Sequence, residues 1–223
     1  GELMKKFKVF ECFAGIGAQN RAMKNLFNNE EMLRKLDIDK TKIGFEVVGT
    51  SEWFMDAIIG YDVIHHGEQT IFPNYYTLDK EVMLDFISGY CLSKDSKTPY
   101  DFNKIKKMSL EDIKRLYIAL NRNKNLGSIL DIKGEELIAK TKGVDLLTYS
   151  FPCQDISLAG KGAGLKVGTR SGLLWEIKRI LEELQVLNKL PKFLLMENVK
   201  ALFDDKHKEG WLIFERFLET LGY

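Results

Sequence analysis

Five short apolar segments alternate with segments of helical periodicity along this chain of 223 residues, and this alternation constrains the fold more than any other feature. The apolar segments are predicted strands at 7–15, 45–53, 127–132, 144–151 and 191–199. The predicted helices lie at 18–29, 54–66, 133–142, 171–188 and 209–223. Strands joined through helices need crossover connections, which produce a mostly parallel sheet with helices on both faces. The sequence therefore predicts an α/β fold.

Residues 67–126 interrupt this alternation. They contain Pro73, Gly89 and Pro99 among several polar clusters, and the segment 109–123 begins with a helix-capping pattern of Ser, Glu and Asp. We interpret 67–126 as an insertion of helices and loops within a single domain that spans residues 4–223.

Composition excludes several classes of protein. The formal net charge is +1, so the whole molecule is not a polycation, and contact with nucleic acid would need a local basic segment. The three cysteines lack CxxC spacing, so we expect neither a disulfide framework nor a metal site, and we place Cys12 and Cys91 in the core. The three histidines are expected at the surface or at helix ends. No apolar run approaches the ~20 residues of a membrane span and no signal peptide is visible, so we expect a cytoplasmic protein.

The unusual short segments of the chain all lie where predicted strands end. These segments are 13–17, 51–53, 127–132, 150–157 and 197–199. Because ligands bind at the carboxyl ends of the strands in such sheets, we expect them to form one site.

The first of these segments, FAGIG at 13–17, has glycines that let a ligand approach the backbone at the start of a helix. A dinucleotide-binding fingerprint would place a third glycine where Asn20 stands and an acid about 20 residues further on. The acid at the end of the second strand, Glu52, is further away. The segment favours a nucleoside without a pyrophosphate, and a purely structural turn remains an alternative.

Glu52 and Trp53 end the second predicted strand. A carboxylate at this place can accept hydrogen bonds from both ribose hydroxyls, and an indole beside it can stack on a purine. The alternative is an exposed Glu beside a core Trp. Together with the glycine segment, the pair favours ribose binding.

The segment FPCQ at 151–154 places Cys153 at a strand end, where helix N-termini and basic residues can lower the pKa of a thiol. The residues that follow are rich in glycine and include Lys161, Lys166 and Arg170, which suits a lid that closes on phosphates. An inert buried cysteine and a solvated linker are the alternatives.

Glu197, in the segment MENV, follows four apolar residues at the end of the last predicted strand. Its carboxyl is therefore expected to be desolvated and protonated near neutral pH, so that it can donate to a bound base. The alternative is a Glu that accepts from a backbone amide.

In this order and context, the motifs resemble those of DNA (cytosine-5)-methyltransferases of the bacterial, mollicute or phage restriction–modification type. FAGIG resembles the first cofactor motif, EW the second, FPCQ the catalytic cysteine motif, TRSGLLWEIKRI the next helix and ENV the catalytic glutamate motif. The resemblance covers almost the whole chain except the 67–126 insertion. It implies a Rossmann-like fold that uses S-adenosylmethionine.

The resemblance also implies roles for individual residues. The catalytic residues would be Cys153, Glu197 and Asn198. The cofactor would be lined by Phe13, Ala14, Gly15, Ile16, Gly17, Glu52, Trp53, Ser128, Ile129, Phe151, Pro152 and Leu173. The DNA or its flipped nucleotide would face Gln154, Ser157, Lys161 and Arg170.

The mechanism implied by the resemblance is covalent. Cys153 as thiolate would attack carbon 6 of a cytosine flipped out of double-stranded DNA, while Glu197 would bind ring nitrogen 3 and the exocyclic amine. Carbon 5 would take the methyl group of S-adenosylmethionine, leaving S-adenosylhomocysteine. Asn198 would orient the loop around the cysteine. We expect a bacterial or phage-encoded enzyme.

Two departures from the family pattern stand out. The third cofactor motif, often Gly-Asp-Ile, is best matched by Gly127-Ser128-Ile129, so either Ser128 or Asp131 would contact the adenine, and Ser128 is favoured. After Tyr223 the family continues with two more strands, an arginine motif, a target-recognition domain and a C-terminal helix. We therefore expect a shortened chain, a decayed gene or one half of a split enzyme that needs a second polypeptide, with weak cofactor binding and little methylation of its own.

Three alternatives stay open at this point. A tRNA cytosine methyltransferase would keep the chemistry and change the substrate. An inactive S-adenosylmethionine-binding fragment would keep only part of the site. A cysteine hydrolase is disfavoured, because none of the three histidines lies at a predicted strand end.

Overall fold

The structure, a computed structural model, describes residues 4–151, 171–198 and 200–223. Within these residues four strands form one parallel sheet in the order β2-β1-β3-β4, as the alternation predicts. The strands are β1 (Lys5–Cys12), β2 (Ile43–Ser51), β3 (Leu146–Tyr149) and β4 (Phe193–Met196).

The register of the sheet brings the ends of the strands together. Cys12, the last residue of β1, is paired with Ser51 of β2 and with Tyr149 of β3, and Tyr149 is paired with Met196 of β4. The residues that follow these positions therefore leave the sheet at the carboxyl ends of the strands. These ends form the edge of the sheet where the sequence places the site.

Helices connect the strands and cover the sheet. They are α1 (Ala18–Phe27), α2 (Glu30–Lys35), α3 (Met55–His66), α4 (Lys80–Ser88), α5 (Phe102–Ile105), α6 (Leu110–Arg122), α7 (Gly134–Thr141), α8 (Leu174–Val186) and α9 (Asp205–Leu221). Short 3-10 turns lie at Gln69–Ile71, Tyr75–Thr77, Ser171–Leu173 and Lys200–Phe203.

The main core lies between one face of the sheet and α7, α8 and α9. Phe10 and Leu147 of the sheet share it with Phe214 of α9 and with five buried residues of α8. These five, at helical spacing, are Leu174, Ile177, Ile180, Leu181 and Leu184. On the opposite face, α3 covers β1, where the Tyr61 hydroxyl donates to Glu11.

A second core holds the insertion 67–126 together. Helices α4 and α6 bury their apolar faces against Met55 and Ile58 of α3. The fully buried carboxylate of Asp62 in α3 accepts two hydrogen bonds of 2.7 Å from the guanidinium of Arg122 in α6. The insertion is therefore anchored to the helix that follows β2.

The predicted strand at 127–132 is wrong. An isolated bridge pairs Asn125 with Thr50 of β2 just before the segment, after which Gly127 adopts a φ of +89°. The Ser128 hydroxyl then accepts from the Leu130 N–H and the Ser128 carbonyl from the Asp131 N–H. These local hydrogen bonds compete with a sheet ladder and fold the segment into a turn.

Helical cover of the sheet is incomplete at β4. Phe193 and Leu195, which alternate with the core residues of this strand, are 55% and 51% exposed. No helix among the described residues is long and apolar enough to cross a membrane.

Candidate active site

The glycine turn after β1 has an unusual backbone. Phe13, Gly15 and Gly17 all adopt positive φ angles, of 53°, 54° and 81°. A Cβ at position 17 would lie 2.3 Å from Nε2 of His65, so only glycine fits there, whereas a Cβ at position 15 would meet nothing within 4 Å. The turn is thus packed tightly on its inner side and open at Gly15.

Glu52 joins this turn to the end of β2. Its Oε2 accepts from the Gly15 N–H at 2.9 Å, and its Oε1 accepts from the N–H groups of Trp53 and Phe54 at 2.8 and 2.9 Å. The latter two amides lie just before α3, where a helix N-terminus favours a carboxylate. The half-buried Glu52 therefore fixes the turn and the start of α3 with one side chain.

Ser51 connects the turn to the segment 127–132. Its carbonyl accepts from the Ala14 N–H, and its hydroxyl donates to the Gly127 carbonyl at 2.8 Å. Ser128 and Ile129, which follow Gly127 in the sequence, are buried, whereas Asp131 is exposed. The structure thus brings the predicted adenine-side residues to the end of β2, and sequence reasoning missed the role of Ser51 in doing so.

Arg179 of α8 holds the same segment from the other side. It donates to the carbonyls of Ile129 and Ile132 at 3.0 and 2.8 Å. Its neighbour Glu183 accepts from the Gly134 N–H at 2.6 Å. Sequence reasoning missed this arginine because its partners are main-chain groups about 50 residues away.

Trp53 is held by the insertion. Its carbonyl accepts from the Ser93 N–H at 2.8 Å, and the Ser93 carbonyl accepts from the Met55 N–H at 2.9 Å. These two bonds extend the end of β2 as a short parallel bridge. The segment 67–126 thus contacts the predicted cofactor residues directly.

The ends of β3 and β4 lie side by side and are joined by hydrogen bonds. The Glu197 N–H donates to the Tyr149 carbonyl, and the Asn198 side chain donates to the Phe151 carbonyl, both at 3.2 Å. The hydroxyl of Ser150 accepts from the Gln19 side chain of α1. Asn198 therefore holds the chain two residues before Cys153.

Glu197 itself is exposed, so the expectation of a desolvated carboxyl is wrong. The physical reason is that β4 is an outermost strand of the described sheet. Leu195 on this strand is also exposed, so it does not bury the carboxyl of Glu197.

Part of the predicted site lies outside the described residues. This part comprises Pro152, Cys153, Gln154, Ser157, Lys161, Lys166 and Arg170. The residues on either side are placed: Phe151 is buried, and Leu173 packs against the main core. The exposed Ile16 lies at the tip of the glycine turn.

His65 of α3 is hydrogen-bonded to the backbone of the glycine turn. Its Nε2 lies 2.9 Å from the Ile16 carbonyl, and its Nδ1 lies 3.3 Å from the ammonium group of Lys24. Because an ammonium group only donates, Nδ1 accepts and Nε2 carries the proton that is donated to Ile16. Burial lowers the pKa of His65, which favours this neutral form.

Three buried polar side chains, those of Glu11, Asn20 and Tyr61, are hydrogen-bonded to one another near the glycine turn. The Tyr61 hydroxyl donates to Glu11 at 2.6 Å and accepts from the Asn20 side chain at 2.9 Å. Burial raises the pKa of the Glu11 carboxyl and of the Cys12 thiol beside it.

Cys12 is a core residue as predicted, but Cys91 is exposed, so its placement in the core is wrong. In the described part of the chain no group of His, Cys, Asp and Glu could hold a metal ion.

Comparison with known proteins identifies the family. The model of the family described as C-5 cytosine-specific DNA methylase matches residues 100–223, more than half of the chain. The chain belongs to this family. The predicted cysteine and glutamate motifs both fall within the matched residues.

Two curated members of the methylase family match almost the whole chain. The orphan methyltransferase M.SssI of Spiroplasma monobiae is 41% identical over 222 residues, which are 98% of this chain and 53% of the relative. The type II methyltransferase M2.ScrFI of Lactococcus lactis subsp. cremoris is 38% identical over 97% of this chain and 53% of the relative. The chain thus spans about half the length of these relatives, and both matches include the 67–126 insertion.

Among solved structures, the S. pombe Dnmt2 methyltransferase aligns with 94% of this chain and 40% of its own. The TM-score is 0.47 at 17% sequence identity.

Proposed function

We propose that this chain is the cofactor-binding and catalytic part of a DNA (cytosine-5)-methyltransferase. The observation that carries the proposal is the shared sheet edge, where Glu52 fixes the glycine turn and Asn198 holds the chain just before Cys153. A methyl donor bound at the turn and a base held at the cysteine would then meet at one edge of the sheet.

The glycine turn fits the nucleoside of S-adenosylmethionine, which supplies the methyl group when bound. The space at Gly15 leaves room for a ligand against the backbone. Each carboxylate oxygen offers about two acceptor positions. Oε1 of Glu52 already accepts two N–H groups, whereas within the described residues Oε2 accepts only the Gly15 N–H, so one position on Oε2 is left for a ribose hydroxyl.

The buried Ser128 and Ile129 suit the adenine end of the same ligand. Ser128 keeps its hydroxyl proton as a donor, because its oxygen is the acceptor in the bond from Leu130. The exposed Asp131 is less suited to this role. These positions support Ser128 as the adenine contact.

At the catalytic end, the thiolate of Cys153 forms a bond to carbon 6 of the flipped cytosine, and the electron pair of the 5,6 double bond moves into the ring. Glu197 hydrogen-bonds ring nitrogen 3 and the exocyclic amine and stabilises the developing charge. After carbon 5 has taken the methyl group, a base removes the proton from carbon 5. The carbon–sulfur bond then breaks and Cys153 leaves as thiolate.

The DNA contacts proposed for this chain are Gln154, Ser157, Lys161 and Arg170. Because the relatives are about twice as long, we propose that the remaining contacts come from sequence beyond these 223 residues, either in the same polypeptide or in a second one. Such an enzyme would act on DNA in the cytoplasm of a bacterium.

Covalent trapping tests the proposal. The chain is incubated with S-adenosylmethionine and duplex DNA containing 5-fluorocytosine, because fluorine at carbon 5 cannot leave as a proton does. An adduct formed by the wild-type chain and absent in Cys153→Ala is the expected result. If the wild-type chain binds neither S-adenosylhomocysteine nor DNA and forms no adduct, even when combined with the C-terminal half of a relative, the proposal is wrong.

A further inference from the structure

Arg179 makes an unusually complete set of hydrogen bonds for a half-buried surface side chain. Nε donates to Glu176 at 2.7 Å, and one terminal nitrogen donates to Glu183 at 2.8 Å. The same nitrogen donates to the Ile132 carbonyl at 2.8 Å, and the other terminal nitrogen donates to the Ile129 carbonyl at 3.0 Å. The two carboxylates orient the guanidinium so that its remaining donors point at the segment 128–134, called here the adenine turn.

The adenine turn is held at both ends as well as in its middle. At its start, the Ser51 hydroxyl binds the Gly127 carbonyl, and at its end Glu183 accepts from the Gly134 N–H. Position 134 must be glycine, because a Cβ there would lie 2.8 Å from Cβ of Glu183. The turn therefore lies directly against α8, and Arg179 binds the two carbonyls between its fixed ends.

The hydrogen bonds of Arg179 are separate from the packing of α8. The buried face of the helix is formed by apolar residues such as Ile177 and Ile180, which contact the main core. Loss of the guanidinium therefore leaves this packing in place, while it frees the carboxylates of Glu176 and Glu183 and releases the two carbonyls of the adenine turn. A lysine can keep the charge, but its single ammonium group lacks the planar set of donors that reaches two carboxylates and two carbonyls together.

We propose that Arg179 is a positioning residue for the cofactor, which holds the adenine turn so that Ser128 and Ile129 meet the adenine. This inference rests on the proposed function, since it takes the glycine turn and the adenine turn as the two sides of one S-adenosylmethionine site. Arg179 acts through the turn and does not touch the ligand itself.

Two variants, Arg179→Lys and Arg179→Met, test the proposal in the 223-residue chain. Lys178→Met is the matched control, because Lys178 lies on the same helix and its ammonium group is paired with Glu182 and placed over the Phe217 ring, away from the adenine turn. Calorimetry measures the Kd of S-adenosylhomocysteine and of adenosine. We expect both Kd values to rise about tenfold in Arg179→Met, less in Arg179→Lys and not at all in the control, a factor that corresponds to about 1.4 kcal/mol.

Hydrogen–deuterium exchange of the same proteins gives a readout that does not need the ligand. The amides of the adenine turn, including Gly134, are expected to exchange faster in both Arg179 variants, while the amides of α3 and α6 stay as in the wild type. Unchanged exchange in the turn, or ligand affinities equal to those of the control, would overturn the proposal. A wild-type chain that binds no ligand, even when combined with the C-terminal half of a relative, would instead refute the cofactor part of the proposed function, while exchange would still report whether Arg179 holds the turn.

Discussion

Replacement of Glu52 gives the sharpest test of the site, because this one side chain fixes the glycine turn and is also the ribose acceptor in the proposed function. In Glu52→Gln the amide keeps one oxygen, which can still accept from the Trp53 and Phe54 N–H groups. Its NH₂ group then faces the Gly15 N–H, so two donors meet where a carboxylate oxygen accepted. The variant therefore releases the glycine turn and removes the acceptor proposed for the ribose.

The magnitude follows from the bonds that are lost. A hydrogen bond to a charged group contributes roughly 1.5–3 kcal/mol, and the half-buried position lets water replace part of it. We expect Glu52→Gln to lower the free energy of unfolding by about 1 kcal/mol and to weaken S-adenosylhomocysteine binding by about 10- to 100-fold, the factor for 1.4–2.8 kcal/mol of lost interaction.

Urea unfolding and calorimetry measure the two effects on the same samples. Glu46→Gln is a suitable control, since Glu46 lies on β2, the strand that leads to Glu52, and forms a half-exposed ion pair with Lys124. If Glu52→Gln binds S-adenosylhomocysteine as tightly as the wild type does, Glu52 does not contact the ribose. If its stability is also unchanged, the bond to Gly15 does not fix the turn.

Further predictions concern the glycine turn and its supports. Gly17→Ala should lose about 2–4 kcal/mol of stability in urea unfolding, because its Cβ would overlap His65. Gly15→Ala should lose only about 1 kcal/mol of stability, yet it should abolish detectable S-adenosylhomocysteine binding. Equal stabilities of the two variants would contradict this interpretation. Burial lowers the pKa of His65, so below its ordinary value of 6.5 the unfolded chain takes up a proton before the folded chain does, and stability should fall as the pH is lowered from 7.5 to 5.5. In His65→Gln this fall should be smaller, while His66 titrates in both proteins; an equal fall would exclude His65 as a cause. Asn198→Ala should slow adduct formation about tenfold, since it breaks the bond that holds the chain before Cys153, and an unchanged rate would remove Asn198 from the site.

Apolar runs were enough to predict the parallel sheet and four of its strands within the described residues. Residues such as Glu52 and Asn198 were found because they come just after strands, and the parallel sheet places the ends of these strands on the same side. The segment GSILDI forms a turn and not the predicted strand, since its apolar composition is typical of a strand while Gly127 and Ser128 favour a turn. Its conformation depends on bonds to Ser51, which the segment itself does not encode.

Supporting residues were harder to predict because their partners are main-chain groups. His65 binds a carbonyl 49 residues away, and Arg179 binds one 50 residues away, so no local pattern marks either side chain. The exposure of Glu197 was missed for a similar reason, because the apolar residues before it say nothing about which strand lies at the edge of the sheet.

The two main-chain bonds of Ser93 bear on how this domain could be shortened by protein engineering. An insertion of sixty residues between two cofactor motifs is an obvious segment to delete when a minimal methyltransferase is sought. Ser93 lies in the middle of that insertion, and without it the Trp53 carbonyl and the amide of the buried Met55 would lose their partners. A minimal design would therefore have to replace this short bridge, because the insertion holds the backbone on both sides of Phe54.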